Sequence, residues 1–227
     1  MALIASESEM KLAPLSMDRP HMAWVLLLDT SCSMAGEPIK NLISAINNLV
    51  KKVCEDEGAR EVLDIAILEF NNEAHVVQEF TPIYKMKPIT LSAVESDSTM
   101  GAGINLALDK VKEIRRLYNS FGTTHYRPWI VMVTSGKYSD DISVPIQRLH
   151  DEGRSGSREK FKVLAIGTPG CDVEVLKSIT KRSLILDNTD FTGIFDFFGC
   201  YAPPLTTVDY SKISQLPDNA RPIPQDW

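Results

Sequence analysis

A solid apolar run, Met22-Ala23-Trp24-Val25-Leu26-Leu27-Leu28, stops abruptly at Asp29-Thr30-Ser31-Cys32-Ser33. A run of this kind, without polar alternation, predicts a strand buried on both faces, from about His21 to Asp29. The period then changes. Ile39, Leu42, Ile43, Ile46, Leu49, Val50 and Val53 recur at helical spacing, which predicts a helix over 38–54. Pro38 is preset for its first turn. Val62 to Phe70, rich in β-branched residues, predicts a second strand. Asn71-Asn72-Glu73 reads as a tight turn into a third strand, Ala74 to Phe80, expected antiparallel at the sheet edge.

After a loop over 81–97 the alternation continues. Helices are predicted over 104–114, up to Glu152, over 173–179 and over 190–198, with strands over 127–133, 161–167 and 184–186. Ser139-Asp140-Asp141 offers an N-cap for the helix that ends near Glu152. Strands alternating with helices imply βαβ units. The predicted fold is therefore α/β: a doubly wound, mostly parallel six-stranded sheet with one antiparallel edge strand and helices on both faces. The domain spans 21–201, after an N-terminal arm over 1–20. Pro203, Pro204, Pro217, Pro222 and Pro224 make 202–227 a tail that cannot be one helix.

The 227 residues suit one such domain with short extensions. A hydrophobic share of 44% is ordinary for a chain that builds a full core. The net charge of −6 argues against nucleic acid, which needs clustered Lys and Arg. The short basic pairs Lys51-Lys52, Arg115-Arg116 and Lys181-Arg182 read as solvated helix faces. Cys32, Cys54, Cys171 and Cys200 are far apart and form no zinc pattern. No apolar stretch is long enough for a membrane span, and Met1 to Glu9 lacks the features of a signal peptide. The expected compartment is the cytoplasm.

The chemistry lies where the first strand ends. One carboxylate, Asp29, and two hydroxyls, Ser31 and Ser33, stand on alternate residues at the carboxyl end of a buried strand. In an open α/β sheet that end is where ligands bind. Oxygen ligands of mixed charge suit a hard cation such as Mg2+ or Mn2+.

This D-x-S-x-S pattern resembles the first motif of the von Willebrand factor A domain family, its metal-ion-dependent adhesion site. Two more segments resemble the family in order and spacing. Ser98-Thr99-Met100-Gly101-Ala102-Gly103-Ile104 is similar to its Thr-bearing loop, which opens a helix. Trp129 to Val133 followed by Thr134-Ser135-Gly136 is similar to its strand followed by T-D-G, with Ser135 in place of the motif's aspartate. The resemblance implies a metal site of Asp29, Ser31, Ser33, Thr99 and Ser135. It implies no enzymatic activity: a protein partner supplies an Asp or Glu to the metal. Serine at 135 lowers the charge of the site, so binding would weaken unless a partner carboxylate, Asp97 or Asp140 compensates. Asp97 also reads as a turn former and Asp140 as a helix cap. The segment from Val25 to Ile39 is most similar to bacterial TerY-type proteins, linked to tellurium resistance and stress responses. That implies a scaffold working with a kinase, phosphatase or ATPase of the same system.

Two other readings stand beside this one. In the first, the same fold works without metal, through its helices or its Pro-rich tail. In the second, Asp29 is the phosphoacceptor of a phosphotransfer enzyme. Against the second, Ser31 stands where an aspartyl phosphatase would place a second Asp, and Gly167-Thr168 where a receiver domain would place a Lys.

Overall fold

The computed structural model describes residues 19–95, 97–155, 158–199 and 216–224. Strand β1 (Met22–Asp29) is buried along its whole length. Its side chains alternate between two cores. Met22, Trp24, Leu26 and Leu28 face one, and Ala23, Val25 and Leu27 face the other. Burying each large apolar side chain is worth about 1.5–3 kcal/mol, so β1 is the rigid centre of the molecule.

Helix α1 (Glu37–Glu55) follows β1. Its apolar stripe of Ile39, Leu42, Ile46, Leu49 and Val53 packs on the first core. Gly36 supplies the turn into it with φ +84°, a conformation that disfavours any side chain. After a single helical turn, α2 (Glu57–Arg60), come β2 (Leu63–Phe70) and β3 (Ala74–Pro82). β2 runs parallel to β1, and β3 returns antiparallel to β2. Helix α3 (Met100–Ser120) then crosses the second core, and the chain reappears as β4 (Trp129–Thr134) on the other side of β1. Helix α4 (Ser143–Gly153), the two-residue strands β5 (Arg154–Ser155) and β6 (Arg158–Glu159), β7 (Lys162–Gly167), α5 (Val173–Ile179), β8 (Ser183–Leu186) and α6 (Thr192–Gly199) complete the main body.

The large sheet has the order β3-β2-β1-β4-β7-β8-β9. Its centre is parallel, and α1 and α6 cover one face while α3, α4 and α5 cover the other. The doubly wound α/β architecture is thus as expected, with one addition. β9 (Ala220–Pro222) comes from the Pro-rich segment and pairs antiparallel with β8, making seven strands and two antiparallel edges where six and one were expected. Pro222 lacks a donor, and an edge strand tolerates that. The expected arm over 1–20 and most of the tail over 202–227 lie outside the described residues.

Where the chain turns from β2 back across β1 to β4, the strand order switches direction. The crevice between the carboxyl ends of β1 and β4 is therefore the switch point. Leu28 is paired with Val133, so Asp29 and Thr134 leave the sheet side by side.

At the opposite end of the sheet a polar network is sealed inside. The Tyr118 hydroxyl donates to Asp64 Oδ2 at 2.6 Å, and His21 Nδ1 stands 2.8 Å from the same oxygen. Burial, then the Asp64 charge and this hydrogen bond, push the Tyr118 phenol well above its ordinary range. A raised folded pKa favours the native state up to the unfolded value, near 10, and the contribution is lost as pH climbs beyond it toward the folded value. Urea unfolding is therefore expected to show stability falling above about pH 10. In Tyr118→Phe that part of the alkaline loss should vanish, with a cost of about 1 kcal/mol at neutral pH.

Candidate functional site

Asp29 is fully buried, and a buried carboxylate is costly unless hydrogen-bonded. Here both oxygens are served. Oδ1 accepts from the Ser31 amide at 3.0 Å and the Ser31 hydroxyl at 2.6 Å. Oδ2 accepts from the Thr134 hydroxyl at 3.1 Å, the Ser135 amide at 3.1 Å and the Ser135 hydroxyl at 3.0 Å. The first pair comes from the turn after β1, the second group from the turn after β4. Charge-assisted bonds of this kind are roughly twice as strong as neutral ones.

Ser33 joins the two turns. Its Oγ donates to Ser135 Oγ at 2.7 Å and lies 3.0 Å from Ser31 Oγ. Four of the five residues singled out in the sequence thus meet in one network: Asp29, Ser31, Ser33 and Ser135. The fifth, Thr99, is the residue before α3. Its amide donates to the Asn71 carbonyl at 2.7 Å, and Asn71 Nδ2 donates to Thr30 Oγ1 at 3.0 Å, which ties the Thr99 loop to the end of β1. Thr99 Oγ1 and the neighbouring Ser98 Oγ are buried atoms without a hydrogen-bond partner.

The two other carboxylates considered for the site have distinct places. Asp140 does not cap the helix that follows it in sequence. Its oxygens accept from the Gly101 and Ala102 amides at 3.1 and 2.9 Å, at the start of α3. Gly101 is needed there, since a Cβ would stand 2.5 Å from the Asp141 carbonyl. Asp141 instead takes the Ser143 amide at the start of α4, and the Ser143 hydroxyl and amide hold its exposed carboxyl below the usual range. Asp97 is exposed, two residues before Thr99.

Thr134, Asn71 and Thr30 are the members of this region that motif reading passed over. Each sits at or just beyond a strand end at the switch point, and that position is the signal that could have found them. Cys32 lies exposed inside the first turn. Cys171 is buried, and burial followed by the Asp172 charge raises its thiol pKa, so it is a poor nucleophile at neutral pH.

Among the described residues, no three His, Cys, Asp or Glu side chains form a cage. A cation at this crevice would rest on one carboxylate and several hydroxyls. That oxygen-only set suits Mg2+ or Mn2+, and the partnerless Thr99 Oγ1 is the kind of atom such an ion would satisfy.

The chain matches the von Willebrand factor type A domain over residues 25–198, and it belongs to that family. Bovine (Bos taurus) cochlin is 24% identical over 169 residues, which cover 74% of this chain and 29% of cochlin. Human (Homo sapiens) cochlin aligns to the same extent. The chain thus spans under a third of the length of these relatives. Among solved structures, the pilus adhesin SpaC of Lactobacillus rhamnosus GG superposes with a TM-score of 0.62 at 10% identity, covering 81% of this chain and 30% of the adhesin. Proximal thread matrix protein 1 from the mussel byssus gives 0.56 at 16% identity, covering 81% and 46%. The von Willebrand factor A-like fold is therefore as the sequence reading expected. Among the described residues no helix is long and apolar enough to cross a membrane.

Asp140→Ala should remove the cap of α3 and cost about 0.5–2 kcal/mol in urea unfolding, with Asp140→Asn recovering part of it. Mn2+ affinity should be unchanged in Asp140→Ala. A loss of Mn2+ binding with native stability would instead make Asp140 a ligand.

Proposed function

We propose that this domain is a non-catalytic protein-interaction module whose partner docks at a Mg2+ or Mn2+ ion held in the crevice between β1 and β4. The observation that carries this reading is the convergence of the Ser31 and Ser135 hydroxyls on one buried carboxylate, Asp29, with the Ser33 hydroxyl bridging them, at the sheet's switch point. Asp29, Ser31, Ser33 and Ser135 would hold the ion with Thr99 as the fifth ligand. With a single anionic ligand, the ion would keep most of its charge for an Asp or Glu of the partner. The membership in a family of interaction domains supports the general role. A bacterial stress or defence system, and a kinase, phosphatase or ATPase as partner, belong to the same proposal and rest on the sequence resemblance alone; the cytoplasm, expected from the sequence, is part of it too.

One observation favours a second reading, a scaffold that needs no metal. Every hydrogen-bonding site that Asp29 uses is filled from within the chain, and Ser33 donates to Ser135 across the gap between the turns. Serine at 135 could act as a latch that closes the site on itself. A phosphotransfer role for Asp29 is disfavoured by the same geometry, since a fully buried oxygen with several donors is poorly placed to attack a phosphorus.

Calorimetric titration of Mn2+ and Mg2+ into EDTA-stripped protein separates these readings. The metal reading expects saturable binding by the native chain, its loss in Asp29→Ala, and at least tenfold tighter binding in Ser135→Asp. Binding by Ser135→Asp alone would favour the metal-free scaffold. Unchanged binding in Asp29→Ala would move the ion elsewhere and refute the site.

A further inference from the structure

Among the described residues the exposed large apolar side chains are Val77, Tyr84, Val94, Tyr138 and Val144. The last three stand at the crevice end of the molecule. The Val94 amide donates to the carbonyl of Thr30, the residue after β1, at 3.0 Å. Tyr138 follows shortly after Ser135, and the Ser139 amide beside it donates to the Ser98 carbonyl at 2.9 Å, next to Thr99. Val144 is in the first turn of α4, and that turn abuts the start of α3: a Cβ on Gly101 would stand 3.1 Å from Pro145 Cγ. Tyr138 and Val144 are 47% and 66% exposed, and they bracket the one loop that leads from the crevice to α4. Bulky apolar side chains left in water singly need no explanation, but several at a ligand-binding end mark a contact surface.

Lys137 opens the same loop. It is exposed, and no acceptor among the described residues pairs with its ammonium. The carboxylates of the neighbouring loops are taken up by backbone amides instead: Asp140 by those of Gly101 and Ala102, Asp141 by that of Ser143, and Asp172 by the first amides of α5. On the Val94 side the rim is acidic, with Glu95 and Asp97 both exposed. The rim is therefore asymmetric. A partner carboxylate is drawn to the Lys137 side, whereas a second acid toward Val94 would meet like charge.

We propose that the partner segment is a peptide with a single Asp or Glu followed, within one or two positions, by a bulky apolar residue. The acid enters the crevice beside Lys137, and the apolar side chain lies on Tyr138 and Val144. This rests on the metal-docking reading above and adds a second determinant to it, since a metal and a carboxylate alone would accept any acidic segment. Aromatic and apolar contacts around a central polar anchor are where interfaces concentrate their selectivity. A bilayer surface would need a basic face around the apolar residues, and Glu95 and Asp97 oppose that.

The test is selection of a random-peptide display library on the whole chain in Mn2+, followed by titration of the most enriched peptide. The enriched sequences are expected to share one Asp or Glu with Phe, Trp, Leu or Met one or two positions later. Tyr138→Ser with Val144→Ser should weaken the peptide about tenfold, and Lys137→Gln should slow its association. Mn2+ affinity should stay native in both variants, which also shows that they fold. Enriched peptides that carry an acid without an apolar preference, or that ignore the Tyr138 and Val144 changes, would overturn this proposal and leave the metal-docking reading standing. Peptides that bind equally in EDTA and to Asp29→Ala would overturn both. So would the absence of any enriched sequence. Self-association of the chain in sedimentation velocity, abolished by Tyr138→Ser with Val144→Ser, would overturn the proposal by making the occupant a second copy.

Discussion

The Asp29 carboxylate holds the functional end of this molecule together. It is the last residue of the most buried strand, and its two oxygens bind turns from different strands: Ser31 after β1, and Thr134 and Ser135 after β4. Without those donors the charge could not stay buried. Without the charge, the hydroxyls of the two turns would have no common acceptor. The crevice is therefore pre-organised by electrostatics, on a platform that hydrophobic burial of β1 makes rigid.

Around this centre the fold adds a second tier of support. Asn71, just after β2, accepts from Thr99 and donates to Thr30, so the ends of β1 and β2 and the loop before α3 share one set of bonds. Asp140 crosses from the β4 loop to cap α3, the helix that Thr99 precedes. The loops at this end are thus held by their neighbours as well as by bonds within their own turns. The opposite end differs in character, with a sealed His21-Asp64-Tyr118 network.

Much of this was legible in the sequence. The apolar run ending at Asp29 located the central strand, because a strand buried on both faces shows no alternation. The stripe from Ile39 to Val53 located α1, and the change of period from strand to helix gave the alternation that defines the fold. The convergence of Asp29, Ser31, Ser33 and Ser135 was also readable, since strand ends at a switch point must approach one another. What was hidden depends on tertiary partners. β9 is three residues from a Pro-rich segment, and nothing local marks it as a strand until β8 offers an edge. Asp140 looks like the cap of the next helix because sequence proximity favours α4, whereas the fold brings it to α3.

The most direct test of the central claim is an anomalous difference map from crystals soaked in Mn2+. The expected result is one strong peak bounded by Asp29, Ser31, Ser33, Thr99 and Ser135, with the Ser33 to Ser135 hydrogen bond opened to admit it. No peak at this crevice under saturating Mn2+, with the hydroxyl network closed on Asp29 as it stands, would contradict the claim.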